Sequence, residues 1–132
     1  MTTRMRLGLV FALALGQFYC KGNNFQDIPG CFRAVSEVKP SVAGDAEPAF
    51  AFLTALWCGP CRVGGVVVRK VADEALPRNR FYVIDVDASP AIAESCKIHD
   101  IPALLRFEDG HLVGSLIGTA SEDQIRKFMA RR

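Results

Sequence analysis

The chain has 132 residues, 50% of them hydrophobic, which is enough to bury one core and predicts a single domain. The formal net charge is +2, yet residues 1–26 hold three basic residues and no acid, which leaves 13 basic and 14 acidic residues in the remainder. Residues 27–132 are therefore almost neutral. They show no basic stripe and no alternation of basic and aromatic residues, which argues against a nucleic-acid partner.

Residues 1–26 have the pattern of a secretory signal peptide. Arg4 and Arg6 precede an apolar run over 7–16, and Ala14 and Gly16 are spaced like a small-residue cleavage site, which places possible cleavage after residue 16. The apolar run is too short for a comfortable membrane span. Two other interpretations stay open for this extension: a retained core-packing segment, or a start codon assigned too far upstream. An organellar presequence is also open, because the segment lacks acids.

The next predicted elements are a short strand, an irregular helix and a buried strand. We predict a first strand near Cys31–Val35 and an irregular or shortened helix over Ser36–Ala43, because Pro40 falls inside that range. Pro48–Ala55, with sequence PAFAFLTA, is typical of a buried strand.

This strand leads into the sequence Trp57-Cys58-Gly59-Pro60-Cys61, where strand-like residues give way to helix-like ones. A helix that starts at Cys58 would direct unpaired N–H groups and the positive end of its dipole at the sulfur, which favours thiolate over thiol. Pro60 suits the first helical turn, where no intrahelical acceptor exists for the N–H that proline lacks. The motif therefore predicts thiol–disulfide exchange.

Alternating segments continue to the end of the chain. We predict a helix over 58–75, weakened at Gly64-Gly65, then a strand at Phe81–Asp87 and a helix at Asp87–Ile98. Asp109-Gly110 predicts a hairpin turn, and a final helix over 121–132 begins with a capping box. The residues that define this last helix are Ser121 and Gln124 for the cap, and Ile125, Phe128 and Met129 for one apolar face.

The WCGPC motif and these flanking segments resemble the thioredoxin family over residues 28–132, about 80% of the chain. The resemblance implies an α/β thioredoxin fold, in which helices flank both faces of a mixed central sheet, as the segment order also does. It divides the chain into the N-terminal extension 1–26 and a thioredoxin domain over 27–132.

The resemblance assigns the two cysteines of the motif. Cys58 is the expected nucleophile that attacks a substrate disulfide, and Cys61 is the expected resolving thiol, so that the pair ends as a redox-active disulfide. The alternatives for Cys58 and Cys61 are a static disulfide or half of a metal site.

Further residues are implied as substrate-binding. The resemblance gives a cis peptide bond between Ile101 and Pro102, which would lay the Ile101 backbone beside Cys58 for pairing with an extended substrate. The alternative is an ordinary trans proline that opens a strand. Gly118 either leaves room for substrate or serves as a plain turn glycine. Trp57 is expected as a docking surface, with a core position as the alternative. Gly59 and Pro60 are the remaining residues that we expect to bind substrate.

Two departures from the family pattern concern proton transfer. Phe52 and Val83 stand where thioredoxins have a buried acid and a lysine, so the usual proton acceptor for the second cysteine is missing. We expect this change to alter exchange rate and redox poise, though not the reaction class. Asp85 and Asp87 are expected to make turn and capping interactions instead.

Cys20, Cys31 and Cys96 lie outside the motif. Buried apolar positions are expected for Cys31 and Cys96. The alternative is a zinc site, because Cys96 and His99 form a C-x-x-H pair that would join Cys58 and Cys61. His99 and His111 are otherwise expected in solvent.

The sequence thus predicts a monomeric thioredoxin-like protein-disulfide reductase that acts in cell redox homeostasis, without metal or cofactor. Expected partners are disulfide-containing proteins and an electron donor, either a thioredoxin reductase or a membrane protein. We expect an exported or organellar protein if the extension is a targeting segment, and a cytoplasmic one otherwise. The rival prediction is a thioredoxin-fold binding module that holds a partner without redox turnover.

Overall fold

A mixed β-sheet with helices on both faces forms the protein in the computed structural model, which describes residues 27–43, 48–76 and 80–130. The elements in chain order are α1 (Pro29–Val38), a 3-10 turn (Pro40–Ala43), β1 (Ala49–Thr54), α2 (Gly59–Ala75), β2 (Phe81–Asp85), α3 (Pro90–Ser95), β3 (Ala103–Glu108), β4 (His111–Ile117) and α4 (Glu122–Ala130). Within the described ranges, four strands pair in the order β2-β1-β3-β4. β1 runs parallel to β2 and antiparallel to β3, and β4 is antiparallel to β3.

Strand β1, buried at its first five residues, divides the core into two parts. Side chains alternate between the faces of a strand, so Ala49, Ala51 and Leu53 pack against α1 and α3, whereas Phe50 and Phe52 pack against α2 and α4. The apolar side chains Ile125, Phe128 and Met129 of α4 are buried on the second face, as predicted. The predicted mixed sheet with helices on both faces is confirmed.

The strand predicted at Cys31–Val35 is wrong, because these residues lie in the helix α1. Pro29 stands in its first turn, and Cys31 and Val35, four residues apart, are both fully buried. That spacing places them on one face of a helix. The short apolar run CFRAV fits a strand equally well when it is considered alone. Pro40 then starts the 3-10 turn, in agreement with the irregularity expected over 36–43.

The helix predicted over Asp87–Ile98 is much shorter than expected. α3 contains six residues, because residues 86–88 form a turn closed by Asp85, whose Oδ1 accepts hydrogen bonds from the amides of Asp87 (2.8 Å) and Ala88 (3.4 Å). Such side-chain bonds compete with helix formation. The predicted hairpin turn at Asp109-Gly110 is present, with φ of +51° and +81°.

No helix among the described residues is both long enough and apolar enough to cross a membrane. The predicted targeting segment, including Arg4, Arg6, Lys21 and Cys20, lies outside the described residues.

Candidate active site

The end of β1 and the start of α2 carry the WCGPC motif. Cys58 has extended backbone (φ −91°, ψ 104°) and is the N-cap of α2, and its Sγ accepts a hydrogen bond from the Cys61 amide at 3.1 Å. Pro60 lies in the first helical turn. A cysteine sulfur therefore takes the place that a serine or aspartate oxygen usually has at a helix start, where donors and the helix dipole stabilise negative charge.

Cys58 and Cys61 form a disulfide whose Cα atoms are 5.2 Å apart. Both residues are buried, Cys58 with 5% and Cys61 with 2% of its surface exposed, and they cluster with Ala55. Gly59 and Pro60 are exposed beside them. The two sulfurs are therefore largely covered, and the exposed backbone of Gly59 and Pro60 lies beside them.

The Ile101-Pro102 segment forms the opposite wall of the site. The peptide bond between these residues is cis, as predicted, and the Ile101 carbonyl oxygen lies 4.0 Å from Cys58 Sγ. The Gly118 amide donates a hydrogen bond to the Pro102 carbonyl at 2.7 Å, with a Gly118 φ of +88° that favours glycine. Ile101 is thus brought next to Cys58, and Gly118 is bonded to the residue that follows Ile101.

Trp57 is not a core residue, because 68% of its surface is exposed. Its indole Nε1 donates a hydrogen bond to Asp87 Oδ2 at 2.8 Å. The sequence reasoning missed this contact and assigned Asp87 to a turn or cap alone. A signal was present, since β1 and β2 were both predicted and the residues that follow neighbouring parallel strands meet at one edge of a sheet.

Exposed apolar side chains flank the two cysteines in the sequence, and we call this set the apolar rim. Its members are Leu56, Trp57, Val63 and Val66, which are 68–84% exposed. Large apolar side chains grouped in solvent are typical of surfaces that bind other proteins. The sequence analysis identified only Trp57. Sequence alone does not distinguish Val63 and Val66 from the buried residues of an amphipathic helix, because the distinction depends on how the helix packs.

Phe52 and Val83 are paired neighbours in the β1–β2 register, so the structure places the two departures from the family pattern side by side. Phe52 is 4% exposed and Val83 is 37% exposed. Both line a groove of about 480 Å³ that extends from Cys61 along α2 and β2. Thr54 also lines this groove, and its charged members are Arg62, Arg69, Lys70 and Asp73.

The charges of this groove do not replace the missing acid. Asp73 is the carboxylate that lines it, and it lies twelve positions after Cys61 in α2, about 18 Å along the helix axis. The Lys70 ammonium pairs with Glu122 at 3.2 Å, and the Arg69 guanidinium lies 5.9 Å from the centre of the Phe81 ring.

Cys31 and Cys96 are buried, as expected, but they are bonded to each other in a second disulfide. This bond removes the Cys96 thiol from the suggested zinc site, and the described part of the chain has no group of three or more His, Cys, Asp or Glu residues able to hold a metal. The suggested zinc site would need the Cys96 thiol, which this disulfide occupies. His99 and His111 are exposed, as expected, and His111 Nδ1 is 2.9 Å from Asp27 Oδ2.

A mixed sheet with helices on both faces and a disulfide at the N-terminus of the helix after a central parallel strand defines a redox-active dithiol domain. The Thioredoxin family model matches residues 35–131, and the chain belongs to the thioredoxin family.

Relatives and solved structures agree with this assignment. A thioredoxin of Acidithiobacillus ferridurans is 31% identical over 88 residues, which are 67% of this chain and 82% of the relative. The mitochondrial thioredoxin-3 of Saccharomyces cerevisiae is 40% identical over 75 residues, 54% of this chain and 58% of the relative. The crystal structure of oxidised mitochondrial thioredoxin 3 from the same yeast superposes with a TM-score of 0.62 at 28% identity, covering 72% of this chain and 87% of the other. The chain thus has a thioredoxin-like redox function in general terms.

Proposed function

We propose that the protein is a protein-disulfide reductase that works by dithiol–disulfide exchange and contributes to cell redox homeostasis. The observation that carries the proposal is the position of the Cys58–Cys61 disulfide, whose first sulfur caps α2 and lies 4.0 Å from the Ile101 carbonyl oxygen. A thiolate at Cys58 would gain from the helix dipole and from the Cys61 amide. The backbone beside it offers pairing to an extended substrate.

The proposed reaction starts from the reduced protein and takes two steps. The Cys58 thiolate attacks one sulfur of a substrate disulfide, which forms a mixed disulfide and releases the other substrate sulfur as a thiolate that takes up a proton. Cys61 then loses its proton and attacks Cys58 Sγ, which closes the Cys58–Cys61 bond and releases the second substrate thiolate. Two electrons pass from the cysteine pair to the substrate.

Substrate docking in this proposal uses the surface around the disulfide. Ile101 and Pro102 present backbone, and Gly118 leaves space, since no atom lies within 4 Å of the position that a side chain there would take. Trp57, Gly59 and Pro60 contribute the exposed edge on the other side. The remaining members of the apolar rim extend this edge and would contact apolar side chains of an unfolded or flexible substrate.

The proposed partners are disulfide-containing proteins and an electron donor that returns two electrons after each cycle. A thioredoxin reductase would serve in a soluble compartment, and a membrane electron donor would serve outside the cytoplasm. We propose an exported or organellar location for a chain whose residues 1–16 are removed, and a cytoplasmic location for a chain that keeps them. The mitochondrial relative in yeast is consistent with the organellar alternative.

The alternative is a binding module, and the apolar rim favours it as much as it favours substrate docking. Such a module would hold a partner on Trp57 and the Ile101-Pro102 segment without forming a mixed disulfide. Both functions need the same surface, so only turnover separates them.

Insulin reduction by dithiothreitol tests the proposal. We expect the protein to accelerate insulin reduction, because the Cys58 thiolate attacks its disulfides, and Cys58→Ser to abolish the acceleration. Cys61→Ser should instead accumulate a mixed disulfide with insulin on Cys58, because the resolving thiol is absent. Mass spectrometry of the adduct identifies the cysteine involved. Equal rates for wild type and Cys58→Ser, with insulin still bound, would favour the binding module.

A further inference from the structure

The second disulfide, Cys31–Cys96, joins two helices that are far apart in the chain. Its Cα atoms are 4.3 Å apart across a sequence separation of 65 residues, and it connects α1 to the residue that caps the end of α3. Cys31 is 0% and Cys96 is 1% exposed. Thiols in solvent therefore do not reach this disulfide in the folded protein. The Cys58–Cys61 disulfide differs, because the residues between its two cysteines are exposed.

Cys96 is the first residue of a short segment that leads directly to the candidate active site. This segment, residues 96–101, ends at Ile101, whose carbonyl oxygen is 4.0 Å from Cys58 Sγ. Ile98 and Ile101 pack against the same core cluster that contains both sulfurs of the second disulfide. The backbone that faces the candidate nucleophile thus lies five positions after a covalent crosslink.

In the middle of segment 96–101, the Ile98 side chain is the one that packs against the core. Lys97, His99 and Asp100 are exposed, and Lys97 has a positive φ of +57° that non-glycine residues rarely adopt. A recess of about 250 Å³ is lined by residues 96–100 and by Leu112, Ser115 and Ile117 of β4. The segment is therefore not packed tightly on the sheet along this side.

The support on the N-terminal side of the segment is the short helix α3, which places one side chain, Ile92, in the same core cluster. α3 has six residues, and helices of that length have almost no stability of their own. The amide of Ile98 bonds to the Ala93 carbonyl at 2.9 Å, so the start of the segment follows α3 wherever α3 lies. The disulfide is the covalent link that fixes the end of α3 to α1.

We infer that the Cys31–Cys96 disulfide is a positioning device for the substrate-docking backbone: it holds α3 against α1 and thereby keeps Ile101 at its distance from Cys58. The inference rests on the proposed disulfide-reductase function for its effect on activity. The disulfide itself does not exchange with substrate. Its loss would loosen residues 97–101 and weaken protein docking, while the chemistry at Cys58 stays intact.

The test compares the double variant Cys31→Ala/Cys96→Ala with wild type on two disulfides of different size. Insulin needs the Ile101 backbone for docking, whereas dithiobis(nitrobenzoate) is small enough to meet the Cys58 thiolate without it. We expect KM for insulin to rise about fivefold to tenfold with kcat within about twofold of wild type, and the rate with the small disulfide to stay within about twofold. Val71→Ala, in the core on the other face of the sheet, is the matched control for general destabilisation and should leave both rates unchanged.

Amide hydrogen exchange supplies a second readout that does not depend on activity. The double variant should lose protection in residues 97–101 and keep it in β1 and α4. An unchanged KM for insulin, or an even loss of protection across β1 and α4, would overturn the inference.

If the double variant does not fold, Cys31→Ala alone is measured, because it retains the Cys96 side chain in the core. Failure of both to fold would also overturn it, since the disulfide would then serve the whole fold. A wild type that is inactive on insulin contradicts the proposed function instead, and hydrogen exchange still tests the segment.

Discussion

Phe52 is the residue with the clearest chemical consequence. It occupies the floor of a groove that reaches Cys61, and its register partner is Val83, so that an aromatic ring and an aliphatic side chain stand where the family has an acid and a lysine. A cysteine attacks as thiolate, and its proton must therefore go elsewhere. The open groove makes water the available acceptor.

We predict that the resolving step of this protein depends steeply on pH. The rate at which Cys61 releases the mixed disulfide should rise about tenfold per pH unit between pH 6 and 8, as the thiolate fraction of a cysteine does. Phe52→Asp should flatten this dependence, because a carboxylate beside Cys61 would accept the proton. Stopped-flow measurement of the second step across pH tests both statements.

Phe52→Asn is the matched control for this variant. Asparagine has the size of aspartate, but it accepts no proton at neutral pH. Both substitutions leave the same space next to Gly65, where a Cβ atom would lie 3.4 Å from the Phe52 ring. Both variants should lose stability, because a polar group replaces a buried ring. A rate independent of pH in wild type, or equal flattening by both variants, would show that another group is the base.

At the residue scale the WCGPC motif and the Ile101-Pro102 segment were predictable, whereas two long-range bonds were not. The position of Cys58 at a helix start follows from five adjacent residues, so local sequence is sufficient. The bond between Cys31 and Cys96 joins residues 65 positions apart, and disulfide connectivity does not follow from sequence alone. The Trp57–Asp87 hydrogen bond likewise depends on two strand ends that meet only in the folded sheet.

The helix α4 shows how both ends of one element are satisfied. At its start, Ser121 Oγ accepts from the Gln124 amide at 3.1 Å, and Gln124 Oε1 accepts from the Ser121 amide at 2.9 Å, which is the predicted capping box. At its end, the buried Arg106 donates to the carbonyls of Phe128 at 2.9 Å and Met129 at 3.1 Å. Donors and acceptors that a helix leaves free at its termini thus have partners.

We predict that Ser121→Ala lowers the free energy of unfolding by about 1 kcal/mol, because the Gln124 amide loses its acceptor. Urea denaturation measures the change. Ser36→Ala is the control, since the Ser36 hydroxyl donates to the Arg33 carbonyl on an exposed helix surface and its loss should change stability by less than about 0.5 kcal/mol. An equal effect of the two substitutions would contradict the role of the cap.

Among the elements, those with long or distinctive local patterns were predicted well. β1 is apolar at its first five positions and α4 has both a cap and an apolar face, so each pattern permits one interpretation. The short run at Cys31–Val35 permits two, and the packing of Cys31 and Val35 against the sheet selects the helix. The early end of the predicted strand at Asp85 and the shortness of α3 follow from a side-chain turn that composition alone does not indicate.

For the molecule as a whole, Asp27 links the start of the described chain to its second half. Its Oδ1 accepts from the Leu112 amide at 3.0 Å and its Oδ2 is 2.9 Å from His111 Nδ1. The hydrogen bond with His111 is the main reason why the pKa of Asp27 lies below its ordinary value of 3.8. The folded protein therefore favours the charged carboxylate more than the unfolded chain does.

We predict a small acid-dependent loss of stability from this residue. The contribution of Asp27 is complete above about pH 4 and disappears as the pH falls through its lowered folded pKa, because protonation then removes the charge that folding favours. Asp27→Asn keeps an acceptor for the Leu112 amide and should be less stable than wild type by under about 1 kcal/mol at pH 6, since the pair is partly exposed. Thermal unfolding from pH 2 to pH 6 should show the two proteins converging at low pH, and a constant difference would contradict the prediction.

The Cys31–Cys96 bond also acts on the protein when it is not folded. A chain crosslinked across 65 residues has fewer denatured conformations, and the chain-entropy relation gives about 4 kcal/mol for a loop of that size. Cys58 and Cys61 close a loop of only three residues inside it, which restricts the denatured chain far less. Reduction of the smaller loop thus changes the oxidation state of the candidate site, whereas reduction of the larger loop changes the entropy of the denatured chain. Melting temperatures of this protein are comparable only between samples in which the larger loop has the same covalent state.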